Sequence, residues 1–225
     1  MKIISNPELF FKRNLCLIGL LLIANILGVI STHYFGHDHI FGLVGLFNFD
    51  SEYNIPTSYS SVALLFSSFL LSHIAFKCKI LGMPYILWFV LSSIFLFLSI
   101  DEVLSIHERL AVPVRDTLGT SGLLYFAWVI PYGVALLAFV MLYTKFLFNL
   151  PRKTMVLFLI SGTLFVSGAI GFELLGGLEA DLNGNDTLFY SIITTCEELL
   201  EMLGIALFIY TLLTYLNTYL TESNR

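Results

Sequence analysis

Residues 187–216 read Thr-Leu-Phe-Tyr-Ser-Ile-Ile-Thr-Thr-Cys-Glu-Glu-Leu-Leu-Glu-Met-Leu-Gly-Ile-Ala-Leu-Phe-Ile-Tyr-Thr-Leu-Leu-Thr-Tyr-Leu. The run exceeds the roughly 20 mostly apolar residues that a helix needs to cross a bilayer. It contains no Lys, Arg or Pro, yet Glu197, Glu198 and Glu201 lie in its first half. An acid at mid-membrane costs about 2.5–3.5 kcal/mol on insertion scales, so such residues are usually buried, paired or functional. This one stretch therefore gives both a fold class and a place to look for chemistry.

The rest of the chain agrees. Of its 225 residues, 57% are hydrophobic and 12% charged, against about a quarter charged in an ordinary soluble domain, and the mean hydropathy is +0.87. That composition excludes a disordered chain and an ordinary soluble enzyme. Eleven basic against sixteen acidic residues, a net charge of -5, leave no basic surface to track phosphates, which excludes nucleic-acid partners. Cys16, Cys78 and Cys196 form no CxxC pair and so neither a disulfide framework nor a zinc ribbon.

Apolar runs at about 14–35, 59–82, 84–104, 122–148, 153–177 and 187–216 predict six spans. The expected fold is all-α: a polytopic membrane protein, one domain over 1–225, built as a bundle of six transmembrane helices. The first run is too long for a cleavable signal peptide, and no small-residue cleavage site follows it. Lys and Arg in short loops mark the cytoplasmic side. They occur at Lys2, Lys12 and Arg13, at Lys77 and Lys79, and at Lys145, Arg152 and Lys153. Loops 36–58 and 178–186 have none, while Arg109 and Arg115 in the third loop are offset by Asp101, Glu102, Glu108 and Asp116. Both termini are thus expected in the cytoplasm, with the protein multi-pass in a bacterial inner (plasma) membrane and membrane lipids as its surroundings. Tyr34, Phe35, Tyr53, Tyr59, Tyr85, Trp88, Tyr125, Trp128, Tyr190, Tyr215 and Tyr219 near the span ends read as an interfacial belt.

With that topology the acids collect at the outer face. Asp50 and Glu52 precede span 2, Asp101, Glu102, His107 and Glu108 end span 3, Glu173 lies late in span 5, and Glu197, Glu198 and Glu201 begin span 6. At about 100° per residue, Asp101, Ser105 and Glu108 share one wedge of a continuous helix, and Glu197, Glu198 and Glu201 share another. In a continuous helix His107 points away from Glu102, which prevents one focus for all of them. Acids on one wedge repel unless protons, a cation or Arg compensate. The i, i+3 spacing of Glu198 and Glu201 allows both to hold one ion. Gly168, Gly171, Gly176 and Gly177 around Glu173 allow close helix approach.

Other motifs carry less. His33 and His37 have metal-compatible i, i+4 spacing if the helix continues, with His39 beside them. Five histidines in the whole chain exclude the multi-box desaturase pattern. His73 belongs near the inner face as a hydrogen-bonding residue. Ser60, Ser61, Ser67, Ser68, Ser72, Ser92 and Ser93 read as helix–helix contacts, Pro56 and Asn54 as a helix start, and Pro131 as a kink in span 4. No Gly-x-Ser-x-Gly elbow or Ser/His arrangement supports a serine hydrolase.

The function expected from these residues is an outward-facing metal site. Asp101, Glu108, Glu198 and Glu201 are the expected ligands, with Glu102, Glu173 and Glu52 as further ones and His107 or Glu197 as the general base. Carboxylate-rich, thiol-free ligation suits iron, manganese, magnesium or calcium, and one His admits zinc. An enzyme of this kind activates water or oxygen against a lipid-like substrate. A proton- or cation-coupled transporter using the same acids is the rival reading, and a non-catalytic membrane subunit or assembly factor the third.

Overall fold

The computed structural model describes residues 6–220, all of whose regular structure is helical. The helices are α1 (Pro7–Phe35), α2 (Leu43–Phe47), α3 (Ile55–Ile80), α4 (Ile86–Leu104), α5 (Ile106–Leu118), α6 (Val129–Phe148), α7 (Arg152–Val166), α8 (Glu173–Asn183) and α9 (Leu188–Tyr219). A π-helical segment, Ser167–Phe172, joins α7 to α8 without a break. Six helices are long and apolar enough to cross a membrane: α1, α3, α4, α6, the continuous rod Arg152–Asn183, and α9. Lys2, counted among the basic residues above, lies outside the described residues.

Local chemistry explains the boundaries. Asn6 and Asn54 cap α1 and α3, their side chains accepting the backbone N–H of Leu9 and Thr57 at 3.0 and 3.1 Å, and each cap is followed by a first-turn Pro. Gly36, at φ +67°, stops α1. That stop ends the helix between His33 and His37, so their i, i+4 spacing never becomes a shared helical face.

Two expectations about span 4 need correction. Residues 122–128 are a 3-10 turn (Gly122–Leu124) and a loop rather than helix. Pro131 therefore falls in the first turn of α6, where its missing N–H leaves no helical bond unmade, and it is no kink.

The bundle is organised around α9 and α3, the two most buried spans, while α6 is peripheral. In lipid, apolar burial gives little drive between helices, so small residues and interhelical hydrogen bonds decide the packing. Serines knit α3 to α4. Ser61 and Ser99 donate to each other's backbone carbonyls, both at 2.9 Å. Seven residues along, Ser68 and Ser92 repeat the exchange at 2.8 and 2.9 Å. Of the other serines, Ser67 and Ser93 instead bond within their own helices.

Glycines set the crossing of α9 with the Arg152–Asn183 rod. A Cβ on Gly168 would stand 2.6 Å from the Glu197 carbonyl oxygen, and one on Gly204 would stand 2.8 Å from the Phe165 nitrogen. Each glycine thus receives the other helix's backbone. Gly171 has no such neighbour, whereas Gly176 meets Tyr190 and Ile193, and Gly177 meets Phe126.

Candidate metal centre

Alternation of the six spans puts the ends of α1, α4 and the Arg152–Asn183 rod beside the starts of α3, α6 and α9. The acids belong to this end, whereas Lys77, Lys79, Lys145, Arg152 and Lys153 belong to the other.

The decisive local feature is Ser105. It takes up a left-handed conformation, φ 47° and ψ 47°, between α4 and α5. The helix expected to run straight through 101–108 is therefore broken, and the phase argument that kept His107 away from the acids no longer holds. α5 is a separate amphipathic helix, pinned by Ala111 against Trp128 and Val129. Asp101 spans the break. Its Oδ1 accepts the His107 backbone N–H at 2.9 Å, and its Oδ2 lies 3.3 Å from His107 Nδ1. Burial pulls His107 toward its neutral form, but the Asp101 hydrogen bond and charge, with Glu108 and Glu173, outweigh it and raise the imidazole above its ordinary value.

Turned this way, His107 meets Glu52 and Glu108. One ligand atom from each of the three lies within 4.8 Å of the others. Glu52 comes from the loop ahead of α3, which Asn54 folds by donating to the carbonyls of Asn48 at 2.6 Å and Gly45 at 3.3 Å. Burial, then the charge of Glu108, lifts the Glu52 carboxyl above its usual range. Oε2 of Glu52 is buried without a hydrogen-bond partner in the protein, while the Ser105 hydroxyl lies toward the Glu52 carboxyl and the Tyr132 hydroxyl toward Asp101.

A second group of acids lies alongside. Glu102 has Glu198, Glu52 and Asp101 as electrostatic neighbours, and Glu201 has Glu102, Glu173, Glu52 and Asp101. Glu198 faces Glu201 and Glu52. Glu173, at the start of α8 just past the π segment, accepts a hydrogen bond from Trp128 Nε1 and faces the Glu197 carboxyl. Asp50 turns to Tyr190. Among the described residues, Asp101–His107 is the one ion pair of this region. Arg109 bonds the Tyr53 hydroxyl and Arg115 lies 4.2 Å over the Tyr125 ring.

The sequence matches the family described as "Domain of unknown function (DUF8692)" over residues 15–216. The chain belongs to that family. No curated protein and no solved structure matches it.

In this DUF8692 chain the expected ligands thus divide. Glu52, His107 and Glu108 converge, Asp101 holds His107, and Glu102, Glu198 and Glu201 form the adjoining group, with Glu173 between Trp128 and Glu197. The belt reading fails for Trp88, Trp128, Tyr190 and Tyr215, all buried. Trp128 instead packs on His107, ring centroids 4.8 Å apart. His33 places Nε2 3.0 Å from the Ser191 hydroxyl, a contact the linear spacing gave no hint of. It seats α1 on α9. His37 and His39 join no group of metal-ligating atoms among the described residues.

Asn25 is the residue that sequence reasoning missed. It is 1% exposed, donates to Thr195 Oγ1 at 2.8 Å and accepts the Phe49 N–H at 2.9 Å. It fixes the start of the loop that delivers Glu52. The available signal was an amide in the middle of the otherwise apolar run 15–30.

Proposed function

We propose that this chain is a multi-pass integral membrane protein of a bacterial inner membrane, both termini cytoplasmic, that binds a divalent metal ion at the outward end of its bundle. Glu52, His107 and Glu108 are the ligands. The convergence of their ligand atoms within 4.8 Å carries the reading. The unpartnered Glu52 Oε2 supports it, because buried polar atoms ordinarily find a partner, and an ion or its bound water supplies one here. Asp101 on one ring nitrogen of His107 is the carboxylate–histidine pairing that orients metal-bound imidazoles.

One nitrogen with oxygens and no thiol suits iron, manganese or zinc best, with magnesium or calcium admitted by the carboxylates. Such an ion activates water or oxygen, and a site at a helix-bundle end in a bilayer suits a lipid-like substrate. With His107 a ligand, Glu197 is the proton acceptor. It lies one carboxyl away, through Glu173, which neighbours both His107 and Glu108.

The test is the metal content of detergent-purified protein, stripped by chelator and reloaded separately with manganese, iron and zinc. Near-stoichiometric metal in the wild type, lost in Glu52→Gln/Glu108→Gln, is expected. A folded wild type that retains none of the three would overturn the reading and return the acids to proton or cation carriage.

A further inference from the structure

Away from the carboxylates, α1 and α9 enclose a cavity in two parts that meet at Val29 and Ser191, which line both. One part, about 60 Å³, is polar: Asn25, Thr32, His33, Asn48 and Ser191 supply its hydrogen-bonding groups. The other, about 240 Å³, is bounded by Ile26, Ile30, Ile192, Thr195 and Cys196. The polar part reaches Thr32 and His33 in the last turn of α1 and goes no further along α9 than Ser191. The apolar part stops at Ile30 on α1 and continues to Cys196 on α9, about 7 Å deeper into the span than Ser191 at 1.5 Å per residue. Polarity therefore falls from the end of the bundle toward its middle, as it does along a lipid from head to chain.

The polar part is a built site. Asn25 is tied to Thr195 and to the Phe49 N–H, and Asn48 accepts the Asp50 N–H at 3.1 Å, so its walls are fixed in advance, as in most ligand sites. His33 Nε2 and the Ser191 hydroxyl stand 3.0 Å apart across the α1–α9 contact. Thr32 gives the second observation. Thr117, Thr144 and Thr211 return their hydroxyls to the carbonyl four residues back, the usual resting state of a helical Thr. The Thr32 hydroxyl, on the cavity wall, makes no hydrogen bond to another described residue.

The lining also selects the occupant. No Lys, Arg, Asp or Glu lines either part, and an unpaired charge is expensive to bury, so the head must be uncharged and must hydrogen-bond. Ile26, Ile30 and Ile192 are exposed on the outside of the bundle, which opens the apolar part sideways to the acyl chains. A dry cavity of about 150 Å³ takes one benzene ring, so this part accommodates one stretch of chain rather than a pair.

We propose that α1 and α9 form a binding site for a single-chain lipid with a neutral hydroxyl- and ester-bearing head, of monoacylglycerol chemistry. The head sits among Thr32, His33, Asn48 and Ser191, and the chain lies along Ile30, Ile192 and Cys196. The site stands whether or not the carboxylates hold a metal, since it uses none of them.

The experiment places full-length protein in phosphatidylethanolamine/phosphatidylglycerol vesicles with a monoacylglycerol carrying a photoactivatable chain, and maps the crosslinks by peptide mass spectrometry. Saturable label is expected on 26–30 and 191–196, displaced by monooleoylglycerol and at least about tenfold less readily by lysophosphatidylglycerol of the same chain, whose phosphate has no partner here. Thr32→Val keeps the shape and removes the hydroxyl, and should raise the half-saturating concentration about 2- to 10-fold, the worth of one hydrogen bond. Val29→Trp fills the junction and should abolish the saturable label. Label spread without saturation over the lipid-facing helices, α6 included, would overturn the site. Equal displacement by the anionic lipid would overturn the neutral head, and unchanged binding in Thr32→Val or Val29→Trp would overturn its placement. The wild-type map and competition decide the matter even if Val29→Trp does not fold.

Discussion

Asp101 reaches His107 twice across the left-handed Ser105, once at the backbone N–H (2.9 Å) and once at ring Nδ1 (3.3 Å). The pair makes the helix break and the imidazole orientation one feature. The break leaves a backbone N–H at the start of α5, Asp101 accepts it, and the same carboxylate selects the ring nitrogen left for other partners.

Asp101→Asn tests that coupling. The amide oxygen can still accept the His107 N–H, so the fold should survive. The neutral group no longer strengthens the imidazole, and Mn(II) affinity should fall by about 10–100-fold, the usual cost of losing such a partner. Titration of metal-free protein measures it. Unchanged affinity would reduce Asp101 to a cap for α5.

The reciprocal glycines give a prediction about packing. Gly168→Ala and Gly204→Ala each drive a methyl into backbone, at 2.6 and 2.8 Å, where no side chain can swing aside. Overpacking of this kind costs about 1–3 kcal/mol. Both variants should unfold at lower temperature in detergent, whereas Gly171→Ala, which meets nothing within 4 Å, should match the wild type. A Gly168→Ala protein as stable as Gly171→Ala would mean that the two helices do not cross as closely as described.

The serine exchange between α3 and α4 is suited to a double-mutant cycle. Ser68→Ala and Ser92→Ala each remove one donor of the mutual pair, and their coupling should be about 0.6 kcal/mol, with about 1.7 as a ceiling for bonds of this kind between membrane helices. Steric-trap or denaturant unfolding in micelles reads it. Additive losses would assign these serines to close packing alone.

Much of this protein was legible because span length and hydropathy act over whole helices. Six spans, the Asn54–Pro56 helix start and the gathering of acids at one end all follow from patterns averaged over many residues. What escaped turns on single backbone angles and on contacts distant in sequence. Nothing in Asp-Glu-Val-Leu-Ser-Ile-His-Glu announces that Ser105 goes left-handed. Without that break the helical phase of His107 is wrong and its convergence with Glu52 is invisible. Trp128 reads as an interfacial anchor until Glu173 is found beside its indole N–H. The π segment that precedes Glu173 likewise has no signature in Ser-Gly-Ala-Ile-Gly-Phe beyond its small residues.

Asn25 supplies the last prediction, because it joins stability to the site without touching it. Its amide donates to α9 through Thr195 and accepts from Phe49, three residues before Glu52. Asn25→Leu keeps the volume close and the surroundings apolar but strands the buried Phe49 N–H, an unmade bond worth about 1–3 kcal/mol. The melting temperature should fall, and Mn(II) affinity should fall with it, since the Glu52 loop loses its anchor. Asn25→Asp still offers an acceptor to Phe49 and should be the milder variant in metal binding. If Asn25→Leu melts with the wild type and binds Mn(II) equally well, the loop is held by Asn54 alone, and Asn25 serves only to fill the α1–α9 contact.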